Sequence, residues 1–234
     1  MATAKRTMPS SWISVRQNRV NAGIHSVETT GRYPDAMRLL PTLVAVAATV
    51  ASAAIPAAAA PVTVQVIGVD GRPLAGAVVT LAMPGAPAPV PRGPYSVAQR
   101  DIQFNPQVLI VPVGATVSFP NFDKVRHHVY SFSKAKKFEL KLFGRDESRS
   151  ITFDKPGAVA LGCNIHDGMN GVVYVTASPY TAQTDVNGRV RLNVAAGVGR
   201  VSVWHPSIRA AGNTLQQPAT VTGTGLSTTL QLRR

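Results

Sequence analysis

From residue 62 onward, hydrophobic and polar positions alternate in short runs broken by glycine, proline and asparagine. "VTVQV" (62–66) alternates as a half-buried strand does, and "VDGRPLAG" supplies a turn around Asp70-Gly71. "AVVTLA" (77–82) then reads as the returning strand. The run "MPGAPAPVPRGP" places prolines at 84, 87, 89, 91 and 94. Proline offers no N–H to a sheet ladder, so this stretch reads as an extended connector. "VLIVPV" (108–113) and "TVSF" (116–119) flank Gly114 in strand–turn–strand order. "HHVYSF" (127–132), "SITF" (150–153), "AVAL" (158–161) and "VVYVT" (172–176) continue at the spacing of a sandwich or barrel. The opening style returns in "TDVNGRVRLNV" (184–194), turning at Asn187-Gly188, followed by "RVSVW" (200–204) and "TTLQL" (228–232). The pattern predicts an all-β chain in which two hairpin-rich segments bracket a central block, as if one small β-sandwich were interrupted by another.

Composition agrees: only 15% of residues are charged, while 19 Gly and 18 Pro favour strands and turns over helices. Residues 37–60, "MRLLPTLVAVAATVASAAIPAAAA", run from a short basic start (Met37, Arg38) through an apolar stretch to small residues suited to an A-x-A cleavage site. That order is the pattern of a secretory signal peptide. The competing reading is a membrane anchor, but the stretch is alanine-rich, carries Pro41 and is short for a span. Residues 1–36 lack hydrophobic periodicity and read as an unstructured extension or as sequence ahead of a true start at Met37. The expected organisation is therefore extension (1–36), signal peptide (37–60), first sandwich segment with the proline-rich connector (61–97), central domain (98–180) and returning sandwich segment (181–234). After processing, no transmembrane span is expected, and the location is periplasmic or otherwise exported.

The formal charge of the chain is +13. From Pro61 onward, 18 Lys plus Arg stand against 9 Asp plus Glu, a net of +9. No nucleic-acid module or basic helix accompanies this charge. It reads as a preference for acidic protein partners or anionic envelope surfaces.

Export sharpens the position of Cys163, the single cysteine, in "LGCNIHDGMNGVVYV" (161–175). In an oxidising compartment a lone thiol needs burial or a ligand. Two residues separate Cys163 from His166, and two more separate His166 from Met169. Thiolate, imidazole and thioether are soft donors that select copper over magnesium or calcium, and blue-copper sites combine two His, one Cys and a weak axial Met. The second histidine would come from His127 or His128 in "NFDKVRHHVYSF". Adjacent strand residues point to opposite faces, so both are not expected on one metal. The bland alternatives are a buried core thiol at Cys163 and simple packing at Met169.

With these residues in place, the central block resembles a cupredoxin, the plastocyanin and amicyanin fold, over roughly residues 98–176. C-x-x-H-x-x-M has the short amicyanin spacing. "FPNFDKVRHHVYSF" together with "LGCNIHD" further resembles exported bacterial proteins known as methylamine utilisation proteins. The flanks, "GVDGRPLAGAVVTL" and "TDVNGRVRLNVAAGVGRVSVW", look like a carboxypeptidase-regulatory-like sandwich. The resemblance implies a Greek-key β-sandwich holding one copper ion on His127, Cys163, His166 and Met169. Cupredoxins usually read His-Asn-Val at the first ligand, the Asn tying the two ligand loops together. On that alignment His128 takes the Asn position, as a replacement for its hydrogen bond, an alternative ligand or an outward-facing residue.

The function so implied is a type 1 copper protein carrying single electrons, with His166 as the exit. Lys134, Lys136, Lys137 and Lys141 would steer an acidic redox protein, a cytochrome or a dehydrogenase; the alternative is an ordinary solvated face. Two other functions compete: copper delivery or storage on the same residues, and an envelope-binding sandwich with a vestigial site. No G-x-S-x-G or paired-carboxylate pattern suggests an enzyme. "DVNG" (185–188) lacks the further ligands of a calcium loop, and His205, beside Pro206, reads as structural.

Overall fold

The computed structural model describes residues 59–233. The chain there is all-β, with one turn of 3-10 helix at Ala211–Asn213. The strands begin with β1 (Ala59–Ile67), β2 (Val78–Ala82), β3 (Tyr95–Ser96), β4 (Ala98–Arg100), β5 (Gln103–Asn105) and β6 (Val108–Pro112). They continue with β7 (Ala115–Pro120), β8 (His127–Ser133), β9 (Lys136–Phe143), β10 (Ser148–Phe153), β11 (Gly157–Gly162) and β12 (Asn170–Thr176). The last are β13 (Tyr180–Gln183), β14 (Arg189–Ala195), β15 (Gly197–Trp204), β16 (Thr214–Val221) and β17 (Leu226–Gln231). The extension (1–36) and most of the segment read as a signal peptide (37–60) lie outside the described residues. β1 takes in the last two residues of that segment, Ala60 lying buried opposite Val194. Among the described residues no helix is long and apolar enough to cross a membrane.

The flanking segments form one sandwich, with sheets ordered β14-β1-β17 and β13-β2-β15-β16. The first segment supplies an inner strand to each: β1 pairs with β14 antiparallel and β17 parallel, and β2 lies between β13 and β15. The expected β1–β2 hairpin is thus corrected. Both strands bury one face, and they set those faces against each other across a single core containing Val64, Val66, Val79 and Leu81. Only the isolated bridge Ile67–Pro73 joins the two ends of their connection.

The central sandwich repeats this logic. One sheet runs β6-β12-β11-β8-β9 and the other β10-β7-β3, with β4-β5 as a separate hairpin. β6 and β7 do not pair either; the chain turns a corner at Gly114, φ 87°, and passes to the opposite sheet. β9 and β11 are likewise linked through β10 in the other sheet, and β11 returns beside β8, a Greek-key crossing. Phe119, Phe143, Phe153, Val117 and Val129 fill the core. The boundary expected at 98 falls after β3, which belongs to this sandwich, and that at 180 falls on the first residue of β13, which belongs to the other. The two sandwiches meet where Tyr174 of β12 packs on Trp204 of β15, ring centroids 5.7 Å apart.

Candidate metal centre

Strand pairing assembles the site at one end of the central sandwich. β8 and β11 are antiparallel neighbours, with Tyr130 opposite Gly162. The start of β8, His127, therefore lies beside the chain as it leaves β11 at Cys163. The loop 163–169 closes on itself through the Met169 N–H, which donates to the His166 carbonyl at 2.9 Å, and then enters β12. A short loop pinned between two hydrogen-bonded strands confines its side chains more tightly than a free loop would.

The ligand atoms of His127, Cys163 and His166 all lie within 4.8 Å of one another. His127 is fully buried and Cys163 nearly so, while His166 is half-buried. His127 Nδ1 faces Cys163 Sγ at 4.0 Å. The imidazoles of His127 and His166 meet edge to face, centroids 5.1 Å apart. His166 Nδ1 is buried without a hydrogen-bond partner. Leaving such a buried polar nitrogen unmet costs roughly 1–3 kcal/mol, a penalty that a metal ion bound at this point would remove. Met169 is buried in the same core cluster as Cys163 and lines, with His166 and Ile102, a surface cleft of about 420 Å³.

The other nitrogen of His127 belongs to Asp123. Nε2 lies 2.7 Å from Asp123 Oδ2, and the carboxylate also accepts the N–H of Asp101 (2.7 Å) and of Ile102 (3.0 Å). Burial opposes ionisation of Asp123, but the His127 hydrogen bond and the two backbone donors outweigh it and hold the carboxyl below its ordinary value. Asp123 is itself placed by Asn121, whose Oδ1 accepts the Asp123 N–H at 2.9 Å. Buried Asn121 donates to the carbonyls of Val125 and Phe143. The sequence reading passed over both residues. The signal available was a carboxylate four positions ahead of a histidine in a segment already singled out.

Of the expected site residues, His127, Cys163 and His166 converge, with Met169 at the end of the same loop. His128 does not join them. Its ring turns to the opposite face of β8, where Nε2 meets Glu139 at 2.9 Å and the ring packs against Tyr130. The pleat separates the two neighbours, and the bond to β9 means that His128 does not tie the ligand loops together. The lysines divide as well. Lys141 lies on β9 between the positions opposite Val129 and His127, at the site end. Lys136 and Lys137 pair with Ser133 and Phe132, about 20 Å away at the usual strand rise. Lys134 lies in the adjacent turn. Lys136 is engaged by Asp154 at 2.9 Å.

No family model and no curated protein matches the chain. Among solved structures it is similar to a reduced mutant of amicyanin, at 23% identity over 42% of this chain and 98% of that one, TM-score 0.34. It is similar to a purple cupredoxin from Nitrosopumilus maritimus, at 23% identity over 36% of this chain and all of that one, TM-score 0.32. It is similar also to the copper-containing nitrite reductase of Thermus scotoductus SA-01, at 32% identity and TM-score 0.35; there the match covers 42% of this chain and 25% of the reductase. At these TM-scores each likeness is partial, and the description of the centre stands on its own donors. A buried thiol, a buried imidazole and a half-buried one, converging and with one imidazole nitrogen lacking any other partner, form a centre suited to one copper ion.

Proposed function

We propose that this is an exported copper protein that carries single electrons between redox partners. The observation that supports it is the convergence of His127, Cys163 and His166 within 4.8 Å, with His166 Nδ1 otherwise unpartnered. His127 Nδ1, Cys163 Sγ and His166 Nδ1 would be the strong donors to a copper ion, with Met169, at the end of the same loop, as a weaker one. Bound copper would supply one-electron exchange between its two oxidation states. The chain's part is to hold the donors in one arrangement for both states, so that little reorganisation accompanies exchange. Strand ends, the Asp123 hydrogen bond and burial all serve that end. Delivery of copper to another protein asks for accessible sulfur donors, whereas Cys163 and Met169 are buried, which favours the carrier reading.

His166, the least buried donor, is the exit for the electron. Exposed Ile102 and Ile165 stand near it as an apolar contact surface. The net positive charge beyond residue 60 suits an acidic redox protein, with Lys141 the lysine nearest the centre. The export signal in this reading lies within residues 37–58, since Ala59 and Ala60 belong to β1, and an oxidising compartment fits a thiol kept as a metal ligand.

The test is a Cu(II) titration of the protein followed by visible absorption, with Cys163→Ser alongside. An intense sulfur-to-copper band that is lost in the variant is expected. A colourless wild-type complex sinks the proposal.

A further inference from the structure

The two sandwiches touch through Tyr174 and Trp204, and beside that contact they part. A cleft of about 690 Å³ opens there, a volume within the range of small-molecule sites, which favour the seam between domains. One wall is the outer face of β2 and β15, carrying Thr80, Ala82, Val198 and Arg200. These positions alternate with Val79, Leu81, Val201 and Val203 of the flanking core, so the pleat turns them outward. The opposite wall is β12 at residues 174–176 with the turn Pro156–Gly157. The two passages of the chain between the sandwiches, at Met83–Pro84 and at Ala177–Pro179, complete the lining. Prolines 84, 156 and 179 fix φ in all three loops, so the walls are set before any ligand arrives.

The polar groups of the cleft are unevenly committed. The Thr176 hydroxyl meets that of Thr181 at 2.7 Å, and Ser178 Oγ donates to the Leu81 carbonyl. Burial raises the pKa of Tyr174 against a hydrogen bond to Thr80, so its phenol stays neutral. Arg200 differs. Among the described residues it is the only charged group on the lining, it is exposed, and it forms no ion pair. Asp154, two positions before Pro156, is held by Lys136 at 2.9 Å. An apolar cleft with one unpaired guanidinium and no carboxylate complements a ligand that is apolar over most of its surface and negative at one end.

We propose that this cleft binds a small apolar anion, a body of one or two rings bearing a carboxylate or sulfonate, with the rings beside Tyr174 and the anionic group on Arg200. Aromatic side chains pack on flat rings, and the planar guanidinium offers paired N–H donors to the anion. None of the lining residues is a candidate copper ligand, so this site stands apart from the electron-carrier reading and does not depend on it.

The experiment uses the full chain and two fluorescent probes of similar shape, anionic 8-anilinonaphthalene-1-sulfonate and neutral N-phenyl-1-naphthylamine. Wild type is expected to bind one sulfonate probe per chain, with amide NMR shifts confined to residues 80–84, 156–157, 174–179 and 198–200. Arg200→Gln is expected to weaken the sulfonate about 10-fold, the scale of a lost charge-assisted hydrogen bond, and to leave the neutral probe within about twofold. Ala82→Phe fills the cleft and is expected to abolish saturable binding of both. Unsaturable binding, shifts centred elsewhere, or an Arg200→Gln protein that treats the two probes alike overturns the proposal. So does a folded Ala82→Phe protein that binds as wild type does. If Ala82→Phe does not fold, the wild-type shift map and the Arg200→Gln comparison decide.

Discussion

The ring of Tyr130 rests on Gly162, so that a Cβ built on this glycine would lie 2.6 Å from the tyrosine Cζ. The two residues are directly opposed on β8 and β11, and Gly162 immediately precedes Cys163. Gly162→Ala therefore forces the ring or the strand aside. A loss of about 1–3 kcal/mol in denaturant-induced unfolding is expected, typical of overpacking. The same substitution in a Tyr130→Ala background should cost much less, because the obstructing ring is gone. Equal costs in the two backgrounds would place the effect elsewhere.

The two adjacent histidines should respond differently. His127→Ala removes a donor facing Cys163 and is expected to lower Cu(II) affinity by more than about 100-fold, beyond the usual effect of an outer partner. His128→Ala removes a ring that faces Glu139 and Tyr130, so copper binding should be unchanged. Its stability cost should be about 1–2 kcal/mol, from lost packing and a lost, part-buried hydrogen bond to Glu139. Copper stoichiometry and the charge-transfer band check the pair.

Met169→Leu keeps the buried volume and should cost less than about 1.5 kcal/mol in stability. If the thioether is the axial donor, its loss weakens support for Cu(II) more than for Cu(I), and the reduction potential should rise. Voltammetry of the two proteins decides this. An unchanged potential would assign Met169 to packing alone.

His205 offers a test in the flanking sandwich. Burial holds its pKa below the ordinary value of 6.5, and its Nδ1 accepts the Ser207 N–H at 3.2 Å, which requires a neutral ring. The unfolded chain takes up this proton first as pH falls. Stability should therefore drop as pH falls below about 6.5 and level off once the folded-state pKa is passed. Chemical denaturation between pH 7.5 and 5 measures the slope, and His205→Gln should remove this part of it.

Much of the strand pattern was legible, because one-sided burial imprints alternation on the chain. The omissions have particular causes. "KKFELKLF" alternates lysine or glutamate with phenylalanine or leucine and forms β9, but its lysines drew the eye to charge. "TLQQPATV" forms β16 despite Pro218, since this strand lies at the sheet edge, where a missing N–H is tolerated. β3, β4 and β5 are two or three residues long, too short for any period to register.

The sequence by itself determined that the chain would bury alternate residues in sandwiches and that Cys163, His166 and Met169 would share one short loop, because periodicity and spacing are local properties. Only the tertiary structure decided that β1 and β2 face each other rather than pair, since neither strand's pattern says which neighbour completes its ladder. It also decided that His127, not His128, looks toward Cys163, because the pleat of β8 sends the two rings to opposite faces of a sheet whose buried side is a property of the whole fold. Asp123 became visible for the same reason: its partners at 101, 102 and 127 are drawn together only when the β4–β5 turn and the start of β8 close on one carboxylate.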